Sequence, residues 1–226
     1  MYFFLADLQR EIRISGVNFM SNLIITISRE FGSGGRKVGE LLAQQLSIPF
    51  YDREIIQKTA EKSGLSKDFI ANAEEHTRKS FLFSIATAPY ADIKYAYQYE
   101  TPVTDQAFFA QSSVIRELAE AGNCVIVGRC ADYLLREQEK LLRVFISASP
   151  EDRLRRVVDD YGLPEKEASS KIKKADKARS SYVRHYTGEE WGSIHNHDLV
   201  INTSFTGIDG AVEVIKVALH AKGYIH

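Results

Sequence analysis

An apolar strand, a glycine-rich turn and a helix follow one another directly at residues 24–42, and this order constrains the fold more than any other feature. The β-branched run 24–27 predicts a buried strand, and the turn after it contains Gly32, Gly34 and Gly35. Glycines let a backbone approach a ligand closely because they carry no side chain. Unpaired N–H groups and the dipole at the start of a helix favour an anion. The segment therefore predicts a loop that holds a phosphate group.

The loop departs from the standard phosphate-binding signature G-x-x-x-x-G-K-[ST], in which the lysine contacts the β- and γ-phosphates and the hydroxyl binds Mg²⁺. In an alignment on Gly34, Arg29 takes the place of the opening glycine, Gly35 that of the lysine and Arg36 that of the hydroxyl residue. A glycine-rich turn with surface charge and no ligand is the alternative interpretation.

Neighbouring side chains could replace the missing ones. A cation is available at Arg36 or Lys37, and a hydroxyl at Ser28 or Ser33, although none stands at the standard offset. We expect the nucleotide phosphates to bind the turn and the first turn of the helix, at Gly32, Ser33, Gly34, Gly35, Arg36 and Lys37.

Composition limits the partners of the chain. Its 226 residues carry 29 basic and 30 acidic side chains, a net charge of −1, so we expect neither nucleic acid nor an anionic membrane as a partner. The two cysteines, Cys124 and Cys130, lack the spacing of metal ligands or of a disulfide framework, which favours the cytoplasm. No apolar run has the length of a transmembrane helix.

Strand and helix patterns alternate along the chain. Apolar runs predict a first strand from residue 24 toward the glycine turn and further strands at 48–52, 124–127, 142–147 and 198–203. Amphipathic stretches predict helices at 36–47, 53–62, 66–76, 104–121, from 150 onwards, 164–182 and 209–221. Strands that alternate with helices predict a three-layer α/β/α fold around a parallel sheet.

Three helix ends carry explicit signals. We expect Ser66 and Thr104 to cap the starts of their helices, and Gly122 to end the second of them. Residues 186–192 predict a loop, and we expect His185 and its neighbours His195 and His197 to be loop histidines that bind no metal.

Several of these segments, taken together, resemble the cytidylate kinase-like branch of the P-loop nucleoside monophosphate kinases. The sharpest mark is the wording of residues 27–35, ISREFGSGG, supported by Tyr51-Asp52, Gly128-Arg129 and the late arginines. The resemblance covers roughly residues 23–222. It implies a P-loop NTPase fold that uses ATP and Mg²⁺.

The same resemblance implies a domain organisation. We expect an N-terminal extension at 1–22 and one kinase domain at 23–226. Met20 could instead be the natural start of the protein. Within it, an acceptor-binding insert would span about 53–110 and a lid about 153–195. Aromatic residues at 81–109 suit core packing, an acceptor pocket or a homodimer interface.

The resemblance implies four residues that bind the acceptor, namely Asp52, Lys58, Arg129 and, in the lid, Asp176. Asp52 corresponds to the acid that opens the monophosphate-binding segment, and Lys58 falls where the family places a phosphate-binding arginine. Residues 53–55 replace the family's Thr-Gly-Ala. Arg129 corresponds to the monophosphate-binding arginine of Gly-Arg-Asp, whereas Cys130 replaces its acid. Asp52 could also hold Mg²⁺ through water, as Ser33 could directly, or simply cap a helix.

The lid positions are occupied by charged residues. Arg153 and Arg156 stand in the family's places before the lid, Asp176 matches an acid of the lid, and Arg179 stands where a second acid is usual. The resemblance implies that these arginines close over the migrating phosphoryl group. Surface ion pairs on solvated helices are the alternative.

The resemblance implies an ATP- and Mg²⁺-dependent kinase with a small nucleotide as acceptor, CMP or dCMP first. The cations expected to act in catalysis are Arg36, Lys37, Arg153, Arg156 and Arg179. Two alternatives stay open. The departures on the acceptor side suit a P-loop kinase of another small molecule, and the missing loop lysine suits a nucleotide sensor that binds without turnover.

Overall fold

A parallel sheet of five strands forms the centre of the computed structural model, which describes residues 22–72 and 102–225. The strands are β1 (Ile24–Arg29), β2 (Phe50–Tyr51), β3 (Cys124–Val127), β4 (Leu141–Ser147) and β5 (Leu199–Asn202). Their order is β2-β3-β1-β4-β5. Because β1 is the central strand, the glycine turn that follows it lies at the middle of the sheet's carboxyl edge, where open parallel sheets bind ligands.

Helices cover both faces of this sheet. They are α1 (Gly35–Leu46), α2 (Arg53–Ser63), α3 (Lys67–Ala71), α4 (Val103–Ala121), α5 (Ala131–Leu134), α6 (Pro150–Tyr161), α7 (Glu165–Thr187) and α8 (Thr203–Ala221). A 3₁₀ turn spans Ile194–Asn196. Within the described ranges, no helix is long and apolar enough to cross a membrane.

Alternate residues of β1 point into two separate cores. Ile25 and Ile27 join a cluster with residues of α1 and α8, including Val38 and Val212. Ile24 joins a second cluster, formed with residues of α2, α4 and α5. Each of these buried isoleucines stabilises the fold by about 1.5–3 kcal/mol. The predicted three-layer α/β/α architecture is therefore confirmed.

Two helix boundaries differ from the sequence expectation. Thr104 does not cap α4: the helix begins at Val103, and the carbonyl of Pro102 accepts from the amide of Asp105 at 2.8 Å. Helix α7 runs to Thr187, so the expected loop start at 186 and the assignment of His185 to a loop were wrong. The ring of Tyr186 stacks on Phe108 at 3.9 Å, and this packing holds the last turn.

The last helix also begins earlier than predicted, and other expectations fall outside the described residues. Thr203 rather than residue 209 starts α8, which Gly207 interrupts with a φ of 69°. Ser66 caps α3 as expected, its hydroxyl accepting from the amide of Phe69. The rest of that predicted helix (73–76), most of the aromatic segment 81–109 and the extension 1–21 are not described. The domain and insert boundaries stay predictions.

Candidate phosphate-binding site

The turn after β1 has the backbone that its glycines allow. Gly32 and Gly34 adopt φ of 80° and 81°, in the left-handed region that other residues rarely enter. A Cβ at Gly32 would lie 2.9 Å from the carbonyl oxygen of Arg153, so a side chain there would displace α6. Gly34 is the N-cap of α1, and the unpaired amides of the first helical turn follow it. The turn therefore has the backbone geometry of an anion site, and phosphate binding at these residues stays a prediction.

Hydrogen bonds within and beneath the turn fix its shape. The hydroxyl of Ser33 is buried and donates to the carbonyl of Glu30 at 2.9 Å. The carbonyl of Ser33 in turn accepts from the Thr203 hydroxyl at 2.7 Å. The loop is thereby tied to the start of α8, and the Ser33 hydroxyl has a protein acceptor in this structure.

The two cations proposed to replace the loop lysine both have acidic partners. Arg36 donates through Nε to Asp52 Oδ2 at 2.7 Å, and this hydrogen bond raises the pKa of Arg36. Lys37 pairs with Glu40 at 3.1 Å on the exposed surface of α1. Asp52 stands at the N-cap of α2, but its side chain caps nothing and binds Arg36 instead.

An arginine of α6 and an acid of α7 contact the loop. Arg153 is 8% exposed and pairs with both Glu30, at 3.1 Å, and Asp176. Its Nε donates to the carbonyl of Phe31 at 2.8 Å, and the amide of Phe31 donates to Asp176 Oδ1 at 2.8 Å. We call these four residues the loop clasp. The clasp joins α6 and α7 to the turn, and Arg153 is buried in it.

Two further lid arginines bind backbone carbonyls of the loop. Arg156 donates to the carbonyl of Gly32 at 2.7 Å, and Arg179 donates to the carbonyl of Arg29 at 3.0 Å. The guanidinium of Arg179 also lies 5.6 Å from the ring centre of Phe31. The structure brings Arg153, Arg156, Asp176 and Arg179 together, since all four contact the loop. Their roles in binding and catalysis stay predictions.

A cleft of about 620 Å³ opens beside these arginines. Its wall is formed by the loop residue Phe31, the end of α3 and one face of α7. Lys171, Lys174 and Arg179 give this wall a cationic side. The cleft has the size of small-molecule sites, and its charge suits an anionic ligand.

Arg129 is held at the end of β3 by an unusual turn. Gly128, Arg129 and Cys130 adopt φ of 72°, 62° and 55° in succession. The guanidinium of Arg129 donates to the carbonyl of Ile70 at 3.0 Å and to Gln111 Oε1 at 3.2 Å. Strained backbone of this kind is typical of functional sites. Arg129 is therefore placed at the carboxyl edge of the sheet, as the family's motif implies.

The remaining acceptor-side prediction, Lys58, lies elsewhere. Its side chain is exposed on α2, and its charge helps to lower the pKa of Glu117 on α4. The structure thus brings Arg129 and the lid residues to the loop's edge of the sheet, and leaves Lys58 on the outer surface of α2.

Asp132, which lies two residues beyond the turn that follows β3, was not identified from the sequence. Asp132 Oδ2 accepts from the Ser28 hydroxyl at 3.0 Å and lies 3.4 Å from Nε2 of His197, which is 3% exposed. Burial opposes its ionisation, yet the contact with His197 holds the pKa of Asp132 below its ordinary value. The signal was present: an acid two positions beyond Cys130, the place where the family's motif has one.

Glu30 and Gln111 were missed as well. Glu30 Oε2 accepts from the amide of Ala148 at 3.0 Å, while its other oxygen binds Arg153. Gln111 is buried and links Arg129 to the hydroxyl of Tyr182 on α7. Glu30 stands within the quoted signature, but its partners lie more than 110 residues away in sequence, so no local pattern indicates its role.

A parallel sheet of this order, flanked by helices and with a glycine turn after its central strand, is the fold of the P-loop kinases. A shikimate kinase from Bacteroides thetaiotaomicron shares it, with a TM-score of 0.50 at 15% identity over 88% of this chain and 98% of that one. An uncharacterized protein from Eubacterium ventriosum superimposes with a TM-score of 0.66 at 26% identity, again over 88% and 98% of the two chains.

Residues 24–205 match the cytidylate kinase-like family. The chain belongs to this family. A cytidylate kinase from Pyrococcus horikoshii is 26% identical over 200 residues, which cover 87% of this chain and 88% of that protein. Family and fold together support a phosphotransferase of the nucleotide kinase type.

Proposed function

We propose that the protein transfers the γ-phosphoryl group of ATP to a nucleoside monophosphate, with CMP or dCMP as the acceptor. One observation carries the proposal: arginines 153, 156 and 179, from two lid helices, all donate to backbone carbonyls of the glycine loop or its first residue. Phosphoryl transfer spreads negative charge over the migrating group, so catalysis depends on cations placed around the phosphates. The family and its cytidylate kinase relatives support the choice of acceptor.

The three arginines suit two different tasks. Arg153 lies between two carboxylates and is almost fully buried, which suits a residue that fixes the lid helices on the loop. Arg156 binds a neutral carbonyl, and Arg179 binds one as well, although its guanidinium also lies 3.9 Å from Asp176 Oδ1. Phosphate oxygens are stronger acceptors because they carry full charge, so these two arginines would turn to the nucleotide when it binds. The amides that follow Gly34 would hold the donor phosphates from the other side.

The residues present fit a magnesium ion that is held mainly by the substrate. Within the described ranges, no group of three or more acidic, histidine or cysteine side chains could hold a metal by itself. Mg²⁺ commonly takes one or two carboxylates together with substrate phosphates and waters. Asp52, at the end of β2, supplies such a carboxylate, whereas the Ser33 hydroxyl donates to Glu30. When bound, the ion would neutralise charge on the β- and γ-phosphates.

On the acceptor side, we assign the monophosphate to Arg129. Its guanidinium is fixed by Ile70 and Gln111 at the carboxyl edge of β3, the strand beside β1. A preorganised guanidinium binds phosphate through two parallel hydrogen bonds. Lys58 would take part only after a movement that brings α2 toward the loop.

The direct test is product analysis. Purified protein is incubated with Mg·ATP and, separately, with CMP, dCMP, UMP, AMP, GMP or no acceptor, and nucleoside diphosphates are separated by ion-exchange chromatography. We expect CDP or dCDP to form only when its acceptor is present. A variant with Gly34→Val in the loop serves as the inactive control. If none of these acceptors is converted to its diphosphate, the proposed substrate is contradicted.

One observation favours a second candidate. Gly35 stands where a catalytic lysine is expected, and residues 53–55 lack the family's acceptor motif. A nucleotide sensor needs ground-state binding but no stabilisation of a transition state. Tight binding of Mg·ATP without any diphosphate product would favour the sensor over the kinase.

A further inference from the structure

The side chain of Arg29 crosses the base of the glycine loop. Its stem begins at the end of β1 and runs beside Gly35, the first residue of α1. Its guanidinium ends against Gly128 at the carboxyl end of β3, where Nη1 lies 2.1 Å from the position that a Cβ of Gly128 would take. Arg29 is only partly buried, so a ligand at this edge can reach it.

Two glycines make room for this path. A Cβ at Gly35 would lie 2.6 Å from Cβ and 3.1 Å from Cγ of Arg29. Real Cβ atoms do not approach so closely, which means that a side chain at residue 35 and the observed path of Arg29 exclude each other. Gly128 is tied to this edge by its amide, which donates to the carbonyl of Ile27 at 3.0 Å.

The two departures from the standard loop signature therefore amount to one exchange of a glycine and a cation between residues 29 and 35. The standard loop has glycine at its opening position and lysine after its last glycine. Here the opening position is Arg29 and the lysine position is Gly35. The cation has moved from the start of the helix to the end of the strand, and its stem occupies the space where a side chain at residue 35 would begin.

We infer that Arg29 supplies the cation of the missing loop lysine and contacts the β- and γ-phosphates of ATP. This inference rests on the proposed kinase function. The guanidinium lies at the edge between β1 and β3, against Gly128, the residue that precedes Arg129.

The test compares variants that separate charge from packing. Arg29→Met keeps most of the stem and removes the charge. Arg29→Gly with Gly35→Lys restores the standard order of glycine and lysine. Arg116→Met, an exposed arginine on α4, is the matched control. Each variant is first shown to unfold cooperatively by circular dichroism, and kcat and KM for ATP and CMP are then measured.

The expected kinetic result is a loss in kcat that the exchange repairs. Arg29→Met should lower kcat by about 100-fold or more, the usual cost of removing one group that stabilises transition-state charge. The Arg29→Gly/Gly35→Lys variant should recover at least about tenfold of this loss, and Arg116→Met should match the parent protein. A purely structural arginine would not show this rescue. An Arg29→Met variant with unchanged kcat would overturn the inference.

A binding arm separates failure of the inference from failure of the proposed function. If the parent protein transfers no phosphoryl group, the proposed function fails, and the affinity for Mg·ATP is then compared by calorimetry. An affinity at least about tenfold weaker in Arg29→Met than in Arg116→Met would still place Arg29 at the phosphates. Equal affinities in the two variants, or no binding by the parent protein, would overturn the inference as well.

Discussion

At the scale of single residues, glycine decides where a ligand can approach. Gly34 and Gly64 both end or begin a helix with φ above +70°, yet they differ in surroundings. A Cβ at Gly34 would lie 3.2 Å from the side chain of Ile208, whereas nothing lies within 4 Å of one at Gly64. The two positions share the same backbone demand, but only Gly34 faces the candidate phosphate site.

This pair gives a matched test of the loop. Gly34→Val and Gly64→Val should each cost about 1–2 kcal/mol of stability, the strain of a side chain in the left-handed region. Only Gly34→Val should abolish binding of Mg·ATP, because the loop can no longer keep its amides around the phosphates. Urea unfolding measures the first effect and calorimetry the second. Undiminished ATP affinity in Gly34→Val would rule out the loop as the phosphate site.

Arg129 is a second residue whose backbone conformation indicates a functional role. Replacement by methionine should raise KM for the acceptor at least about tenfold, because a charge-assisted hydrogen bond to phosphate is lost. KM for ATP should stay within about twofold, since the proposed ATP site lies at the glycine turn after β1 and not at Arg129. Steady-state kinetics with each substrate varied in turn provide the measurement. A change in KM for ATP alone would contradict the assignment.

At the scale of elements, the loop clasp ties α6 and α7 to the turn after β1. Arg153 and Asp176 have side chains that are 9% and 18% exposed, so their pairing is largely shielded from water. The outer face of α6 offers a contrast, because Arg155, paired with Asp152, has a side chain that is 71% exposed. Pairs of these two kinds differ strongly in what their loss costs.

Removal of one clasp partner should therefore be costly. Asp176→Asn should lower the free energy of unfolding by about 3 kcal/mol, since Arg153 loses one of its two carboxylates in a buried site. Arg155→Met should change it by less than about 0.5 kcal/mol. Urea denaturation of both variants gives the comparison. Similar small effects in the two would show that the clasp does not hold the lid.

The pair of Asp132 and His197 links β1, α5 and the segment before β5, and it makes stability depend on pH. Burial lowers the affinity of His197 for a proton, but Asp132 outweighs it and raises the pKa above 6.5. The stabilisation is thus complete below the ordinary histidine pKa and is lost as the pH rises through the raised, folded-state pKa. On the acid side, the contribution of Asp132 is lost only below its ordinary pKa of 3.8.

His197→Gln tests this pH dependence. At about pH 6 the variant should be less stable than the parent protein by about 1–3 kcal/mol, the cost of leaving the buried Asp132 carboxylate without its charged partner. At a higher pH, above the raised pKa of the parent histidine, the difference should shrink. Thermal unfolding at both pH values supplies the measurement. A difference that grows with pH would have the wrong sign for this account.

At the scale of the whole molecule, the sequence predicted the layers and the loop but not the contacts across the edge. Strands and helices carry local signals, as in the β-branched run of β1 and the glycines after it. The end of α7 was misjudged because Tyr186 packs on Phe108, 78 residues away, although Gly188 offered a local stop signal. Partners of Glu30 and Asp132 were invisible because they lie on distant elements.

The proposed function requires that the amides of the glycine turn bind the phosphates of the nucleotide. The most direct measurement is an NMR titration of the ¹⁵N-labelled protein with Mg·ATP, in which each amide is followed separately. We predict saturable shifts that are largest at residues 32–36, with little change along the exposed face of α4. Shifts that spare the turn while ATP binds elsewhere would contradict the account.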